Sequence, residues 1–120
     1  MIKTVDKRGN WPESMPWGFL ENRHLIRALV VFARELWEQE RPDYALYLYR
    51  KLLKTNPNDN IGARYEILAI QLGLDPDYAE EMFPASMPGA VDAIKSDDWF
   101  QKNAKKFPED FDWWFKAVGE

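Results

Sequence analysis

Cysteine is absent from this 120-residue sequence, and histidine occurs once, at His24. The absence of thiols excludes disulfides, thiolate catalysis and cysteine-ligated metal sites, and the chain carries no mark of an oxidising compartment. No serine nucleophile motif accompanies His24, so we read it as a solvated residue in the first turn of a helix. We therefore expect no catalytic residues, no metal ion, no cofactor and a cytoplasmic location.

Concentrated positive charge and long hydrophobic runs are also missing. The formal net charge is -4, from 16 basic and 20 acidic residues, whereas phosphate-driven nucleic-acid binding needs a concentrated basic face. The longest strictly apolar run, Ala28 to Ala33, is too short to cross a bilayer, and Met1 to Trp11 is polar. The sequence predicts neither a nucleic-acid partner nor a membrane.

The remaining composition is typical of a single globular domain, residues 1–120. Apolar residues make up 46% of the chain and charged residues 30%, a balance found in folded proteins. Apolar residues recur at helical spacing, and no strand pattern is present. We predict an ordered arm over residues 1–21, two helix pairs over 22–83 and C-terminal helices over 84–120.

Polar caps and prolines mark the helix boundaries of the two pairs. The first helix begins at an Asn22 cap and ends before Pro42, which opens the second helix. A third helix spans about residues 61–72, and a fourth runs from Pro76 to Pro84. The first two helices have apolar faces at helical spacing, formed by Leu25, Leu29, Phe32, Ala33 and Leu36 and by Ala45, Leu48, Tyr49, Leu52 and Leu53.

Three short helices are predicted in the C-terminal part. One spans about residues 90–95, Ser96 caps a second over 97–107, and a third covers 109–118. The third helix has an apolar stripe with the spacing i, i+3, i+4, i+7, formed by Phe111, Trp114, Phe115 and Val118.

A four-residue motif recurs at the spacing of a helix pair. Pro42-Asp43-Tyr44-Ala45 returns as Pro76-Asp77-Tyr78-Ala79, 34 positions later, which is the period of the tetratricopeptide repeat. Residues 26–83 resemble that family as one good repeat and one degenerate repeat. The first repeat has residues of mostly suitable size at the eight signature positions, namely Leu29, Phe32, Ala33, Leu36, Ala45, Tyr49, Leu52 and Pro57. In the second repeat, Glu66 and Ile67 depart from the pattern.

The resemblance implies an all-α, tetratricopeptide-like stack of antiparallel helix pairs, with about six helices, an aromatic N-terminal arm and C-terminal capping helices. Two pairs leave terminal apolar faces that need a cover. Five of the six tryptophans lie outside the pairs, at Trp11, Trp17, Trp99, Trp113 and Trp114. We expect them to cap the stack; alternatively, some stay exposed and bind a partner or a second copy of the chain.

A binding surface is also implied, because the first helices of successive repeats line the concave side of such a stack. The groove positions of the family correspond here to Arg27, Val30, Arg34, Trp37, Arg64, Leu68 and Gln71. Arginine donates two parallel hydrogen bonds to a carboxylate, so the implied function is a non-enzymatic protein-interaction module that binds a short acidic or C-terminal peptide segment. Alternatively, the three arginines pair with Glu38, Glu66 or the acidic tail, or face water.

The last helix offers a ligand within the chain. Acidic residues accompany an aromatic group formed by Phe111, Trp113, Trp114 and Phe115. This segment docks on its own stack, exchanges with a second copy in a homodimer, or packs on the preceding helix with its charges in water. Two other functions stay open, namely an accessory subunit of a separately encoded enzyme and a self-assembling structural unit.

Two polar patterns have structural explanations. Asn56, Asn58 and Asn60 alternate as calcium ligands do, but Ile67 stands where a calcium loop needs a bidentate glutamate, so we read them as a turn and a helix cap. Carboxylate pairs such as Asp97-Asp98 lie at predicted helix starts, where they suit the helix dipole.

Overall fold

The computed structural model describes residues 20–87 and 89–119, and in this part of the chain it has six α-helices and no β-strand. The prediction of an all-α fold with about six helices is therefore confirmed. An isolated bridge joins Pro84 and Val91. The predicted arm, with Trp11 and Trp17, lies outside the described residues, except that residues 20 and 21 belong to the first helix.

The helices are α1 (Leu20–Glu38), α2 (Pro42–Thr55), α3 (Ala63–Gln71), α4 (Tyr78–Met82), α5 (Ala93–Asn103) and α6 (Pro108–Ala117). A short 3-10 turn, Ala104–Lys106, separates the last two. The chain divides into two compact units, Met1–Arg64 and Tyr65–Glu120. The expectation that residues 1–120 unfold as one cooperative domain stays a prediction.

In the first unit, α1 and α2 pack together as a helical hairpin. A three-residue connection makes the two helices antiparallel neighbours. The ring of Trp37 meets that of Tyr49 edge-on, with the centroids 6.4 Å apart. The buried residues of the hairpin are Ile26, Ala33 and Trp37 on α1 and Ala45, Tyr49, Leu52, Leu53 and Thr55 on α2. The predicted face of α2 is thus confirmed, apart from the half-buried Leu48.

The start and the core face of α1 differ from the prediction. The helix begins at Leu20, so Asn22 lies inside its first turn rather than at its cap; the residues before Asn22 extend the helix because they are compatible with it. Phe32, predicted to face the core, is 52% exposed, whereas Ile26 is 1% exposed. The apolar arc of α1 is wider than one neighbouring helix can cover, so one of its edges remains accessible to solvent.

Ala45 is the position in the hairpin where added volume should be least tolerated. Its exposure is 0%, and close-packed interiors accept extra methylene groups only with strain. We expect Ala45→Leu to lower the free energy of unfolding by about 1–3 kcal/mol in a urea titration. The matched control is Ala79→Leu, at the half-buried equivalent in the second repeat, which should have a smaller effect. Equal stabilities of Ala45→Leu and the parent chain would contradict this packing.

In the second unit, α4 is shorter than predicted. It begins at Tyr78 and not at Pro76, which lies in the preceding turn. The Asp75 carboxylate accepts a hydrogen bond of 2.9 Å from the backbone N–H of Asp77, and this local bond holds the turn in a non-helical form. The repeated motif therefore has two environments, since Tyr44 is 58% exposed and Tyr78 is 4% exposed.

The boundary of α5 also differs from the prediction. One helix begins at Ala93, with Asp92 as its cap, where two helices were expected around a Ser96 cap. The Asp92 carboxylate accepts hydrogen bonds of 3.1 Å from the backbone N–H groups of Ile94 and Lys95. Asp and Ser are comparable helix caps, so their positions determine which of them is used. Asp92 caps the helix because it directly follows the loop, whereas Ser96 is buried inside the helix.

Phe100 is the centre of an aromatic core in the second unit. Its side chain is 0% exposed. Four aromatic rings surround it at centroid distances of 5.0–6.0 Å, namely Tyr65, Phe111, Trp114 and Phe115. Most of these pairs are edge-on, the geometry that the ring quadrupoles favour. Aromatic residues of the C-terminal helices therefore build the core of their own unit.

Candidate binding surface

The groove positions on α1 divide into an accessible edge and a core residue. Arg27, Val30 and Arg34 share one edge of the helix, where Arg27 is exposed and the other two are half-buried. The Nε atom of Arg34 lies 3.5 Å from the carboxylate of Glu38, one of the partners expected for the arginines. Trp37 is 5% exposed. We therefore correct its assignment from groove to core, because it packs against α2.

The groove positions on α3 are engaged within the chain. Leu68 is 0% exposed and is a core residue rather than a contact for a ligand. Arg64 forms an ion pair of 2.9 Å with Asp59, which was not among its expected partners. Gln71 donates a 2.7 Å hydrogen bond to the carboxylate of Asp110. These contacts leave Arg27, Val30 and Arg34 as the accessible part of the predicted groove.

The aromatic segment of α6 packs in its own unit. Phe111 and Trp114 are 0% and 7% exposed, with ring centroids 5.0 and 5.8 Å from that of Phe100. Phe115 and Trp113 are half-buried. These contacts are the ones expected if the last helix packs on the preceding helix. Phe111 and Trp114 could not reach a groove or a second copy of the chain without uncovering Phe100. The packing of these two residues favours the third alternative, and docking or exchange of the segment stays a prediction.

Asp59 is a buried residue with several polar partners, and the sequence patterns did not single it out. Its carboxylate accepts hydrogen bonds from the backbone N–H groups of Ala63, at 2.7 Å, and Arg64, at 2.9 Å. The Arg64 guanidinium donates a further bond of 2.9 Å. Burial raises the pKa of Asp59 and outweighs the lowering by Arg64 and Ala63. The role of Asp59 is structural: it caps α3 and neutralises Arg64.

The open apolar edge of α1 forms one wall of a cleft with α2. The cleft has a volume of about 220 Å³ and is lined by Phe32, Leu36, Arg41, Tyr44, Tyr47 and Leu48. Phe32, Tyr44 and Tyr47 are each more than half exposed. A concave apolar surface with few polar groups is the usual form of a binding site. The sequence feature that could have indicated this cleft is the broad apolar face of α1. This face includes Phe32 and Leu36 as well as the buried Ala33.

Positive charge lies at both ends of this cleft. Arg41 is the one charged lining residue, and within the described part of the chain its guanidinium has neither an ion pair nor a hydrogen bond. Lys51, about three turns further along α2, places its ammonium 5.6 Å from the ring centroid of Tyr47. The cleft therefore suits an apolar group that carries a carboxylate nearby.

The other clusters of charge offer less chemistry. Around α4 the acidic residues repel one another, and the neighbouring Asp75 carboxylate raises the pKa of the exposed Glu81. Over residues 20–87 and 89–119, no group of three His, Cys, Asp or Glu side chains could hold a metal ion. None of the helices in these ranges combines the length and the apolar character needed to cross a membrane.

Comparisons of the chain with protein-family profiles, curated proteins and solved structures find no match. The tetratricopeptide resemblance therefore rests on the residues of this sequence alone, and the functional argument rests on the α1–α2 cleft.

Proposed function

We propose that the chain is a non-enzymatic protein-interaction module that binds a peptide segment with an aromatic side chain and a nearby carboxylate in the α1–α2 cleft. The observation that carries this proposal is the lining: five apolar or aromatic side chains and one arginine that has no partner among the described residues. The class of function is the one that the repeat resemblance implied. The position differs from the implied groove and lies on the other edge of α1.

The internal repeat supports an aromatic ligand. Phe32 and Tyr44 line the cleft, and Glu66 and Tyr78 are their equivalents 34 positions later. In the second repeat the Tyr78 hydroxyl donates a 2.5 Å hydrogen bond to Glu66, and the ring of Trp99 lies 5.5 Å from that of Tyr78. An indole therefore covers the tyrosine in the second repeat. The exposed ring of Tyr44 offers the same kind of surface to an aromatic side chain.

The charges support a carboxylate beside that aromatic group. An arginine at the edge of an apolar cleft binds a carboxylate through charge-assisted hydrogen bonds. Arg41 is better suited to this than Arg34, because Arg34 already lies next to Glu38. The edge formed by Arg27, Val30 and Arg34 remains the second candidate surface for an acidic peptide.

Two alternative functions remain beside this proposal. An accessory subunit of an enzyme would use the same cleft to bind its catalytic partner. A self-assembling unit would use it to bind a further copy of this chain. A cytoplasmic location and a protein or peptide partner, rather than a nucleic acid or a membrane, are part of the proposal.

The proposal can be tested with an array of short synthetic peptides that each carry one Trp and one Glu at varied spacing. We expect micromolar binding of a subset, and we expect Arg41→Gln to weaken it about fivefold, because an exposed ion pair contributes at most about 1 kcal/mol. Fluorescence anisotropy measures the dissociation constants. In a double-mutant cycle, replacing the peptide Glu by Gln should weaken binding to the parent chain and have little effect on Arg41→Gln.

The matched controls are Arg34→Gln and Arg27→Gln, which alter arginines of the same helix pair outside the cleft. Both should leave the affinity unchanged, and raised salt should weaken binding to the parent chain more than binding to Arg41→Gln. A loss of affinity in Arg27→Gln and Arg34→Gln, with Arg41→Gln unaffected, would move the site to the opposite edge of α1. Absence of binding by every peptide would contradict the proposed function.

A further inference from the structure

We infer that the outer face of α2, formed by Asp43, Tyr44, Tyr47 and Lys51, binds the same face of a second copy of this chain. The two helices are antiparallel and related by a two-fold axis at Tyr47. This inference goes beyond the proposed function, although Tyr44 and Tyr47 also line the cleft. An isologous interface uses one patch twice, so the patch must be complementary to itself. The outer face of α2 meets this requirement in its apolar groups, its charges and its helix dipole.

The centre of this face is apolar and exposed. Tyr44 is 58% exposed and Tyr47 52% exposed, and residues three apart on a helix lie side by side. Phe32 of α1 is 52% exposed and lines the same cleft. A group of exposed apolar side chains marks a protein–protein interface. Tyrosine is enriched in interfaces because its ring is apolar and its hydroxyl is polar.

Opposite charges flank Tyr47 at equal distances along the helix. Asp43 precedes it by four residues and Lys51 follows it by four, so each lies about 6 Å from Tyr47 along the axis, on the same side of α2. Within the described part of the chain, the Asp43 carboxylate has neither an ion pair nor a hydrogen bond. A two-fold axis at Tyr47 places Asp43 of each copy opposite Lys51 of the other. The dimer therefore gains two intermolecular ion pairs.

The charges favour the antiparallel arrangement over the parallel one. Parallel helices in register place Asp43 against Asp43 and Lys51 against Lys51, and they also align the two helix dipoles side by side. In the antiparallel arrangement the first turn of α2, which contains Asp43, faces the last turn of the other copy, which contains Lys54. Arg41 lies on the α1 side of this face, where it lines the cleft, and takes no part in the two pairs.

The size of the face predicts a weak, reversible dimer. With its 14 residues, α2 is about 21 Å long. The adjacent α1 and α2 helices are about 20 Å wide, which limits the contact to about 400 Å² per copy. A standard interface buries about 800 Å² per partner. We expect a dissociation constant on the order of 100 μM, so at lower concentrations the face is open to peptides.

Charge reversal in the full-length chain tests the pairing. Sedimentation equilibrium measures the average mass at concentrations from about tenfold below to about tenfold above this dissociation constant. We expect Asp43→Lys and Lys51→Asp each to weaken dimerisation about tenfold, because two repulsive pairs replace two attractive ones. An equimolar mixture of these variants should associate like the parent chain, since each pair between unlike variants again joins opposite charges. Both substitutions in one chain should also restore the dimer.

The matched control is Asp98→Lys, which makes the same change in net charge at an exposed carboxylate of α5. It should not weaken the dimer, because a less negative chain repels its copies less. Net charge alone would make Asp43→Lys associate more strongly than the parent chain, the opposite of the expected result. Tyr47→Ala should weaken dimerisation about tenfold without a change in charge. Its control is Ile94→Ala, at an exposed apolar residue of α5.

Circular dichroism and urea titration show whether each variant remains folded, and Tyr47→Ala decides if a charge reversal unfolds the chain. Three results would overturn the inference. These are a chain that stays monomeric over the whole concentration range, a dimer that neither the charge reversals nor Tyr47→Ala weaken, and a mixture of the two folded charge-reversal variants that stays monomeric.

Adding a Trp- and Glu-containing array peptide separates this inference from the proposed function. We expect saturating peptide to dissociate the dimer, because both use Tyr44 and Tyr47, and a dimer that persists with bound peptide would overturn the inference. If the peptide binds a chain that is monomeric at every concentration, only this inference fails. If the chain forms the dimer and binds none of the array peptides, only the proposed function fails.

Discussion

Phe100→Ala is expected to lower the free energy of unfolding of the C-terminal unit by about 3–5 kcal/mol. Phe100 is 0% exposed, and four aromatic rings meet it within 6.0 Å. Truncation to alanine removes the shared contact of α3, α5 and α6 and leaves a cavity that these large rings cannot easily fill. A loss of this size is a large fraction of the total stability of a small unit, about 5–15 kcal/mol.

Chemical denaturation, followed by circular dichroism and by amide hydrogen exchange in α5 and α6, measures this effect. The matched control is Ile94→Ala, because Ile94 lies on the same helix and is 77% exposed. This control should change the stability by no more than about 0.5 kcal/mol. Similar losses for the two variants would contradict the placement of Phe100 at the centre of the core.

The helices could be predicted from the sequence because their signals are local. Pro42 lies at the first turn of α2, as its fixed φ angle and missing N–H suggest. The buried residues of α2 follow the predicted helical face, since α2 has one apolar side that packs on α1. The exceptions are helix boundaries with competing caps. Asp92 and Ser96 are both good caps, and the local pattern does not show which of them follows the loop.

The binding cleft could not be predicted because it depends on which part of an apolar arc is covered. Leu25 to Leu36 forms a wide arc on α1, and only tertiary packing determines that Ile26, Ala33 and Trp37 face α2. The groove transferred from the repeat family counted Trp37 and Leu68 as ligand contacts, yet both are core residues. Departures from the family pattern, such as Glu66, show that the helix rotations need not follow those of the family.

The capping function of Asp59 was also missed, because the polar run around it contains several equivalent candidates. Asn56, Asn58 and Asn60 have the same turn and cap propensities as Asp59. Asp59 has a positive φ of 53°, a conformation that Asp tolerates better than most residues. Its carboxylate is thereby directed at the start of α3, a geometry that only the folded turn provides.

Asp59→Ala is expected to lower the free energy of unfolding by about 3 kcal/mol. Three effects contribute: the loss of a helix cap, the loss of the carboxylate from the half-buried Arg64, and the strain of an alanine at a φ of 53°. Asp59→Asn should lower it by only about 1 kcal/mol, because asparagine tolerates this φ and retains an oxygen for the Ala63 N–H. Urea titrations at neutral pH compare the two variants.

The electrostatic contribution of Asp59 can be tested by measuring how pH changes the difference in free energy of unfolding between the parent chain and Asp59→Asn. Burial raises the pKa of Asp59 in the folded chain above its ordinary value, so the folded chain takes up this proton before the unfolded chain does. The parent chain should therefore gain stability relative to Asp59→Asn as the pH falls through the folded-state pKa, until it passes below the ordinary value. A relative loss over this range would mean that the ion pair with Arg64 outweighs desolvation. Equal stabilities of Asp59→Ala and the parent chain would contradict the capping role.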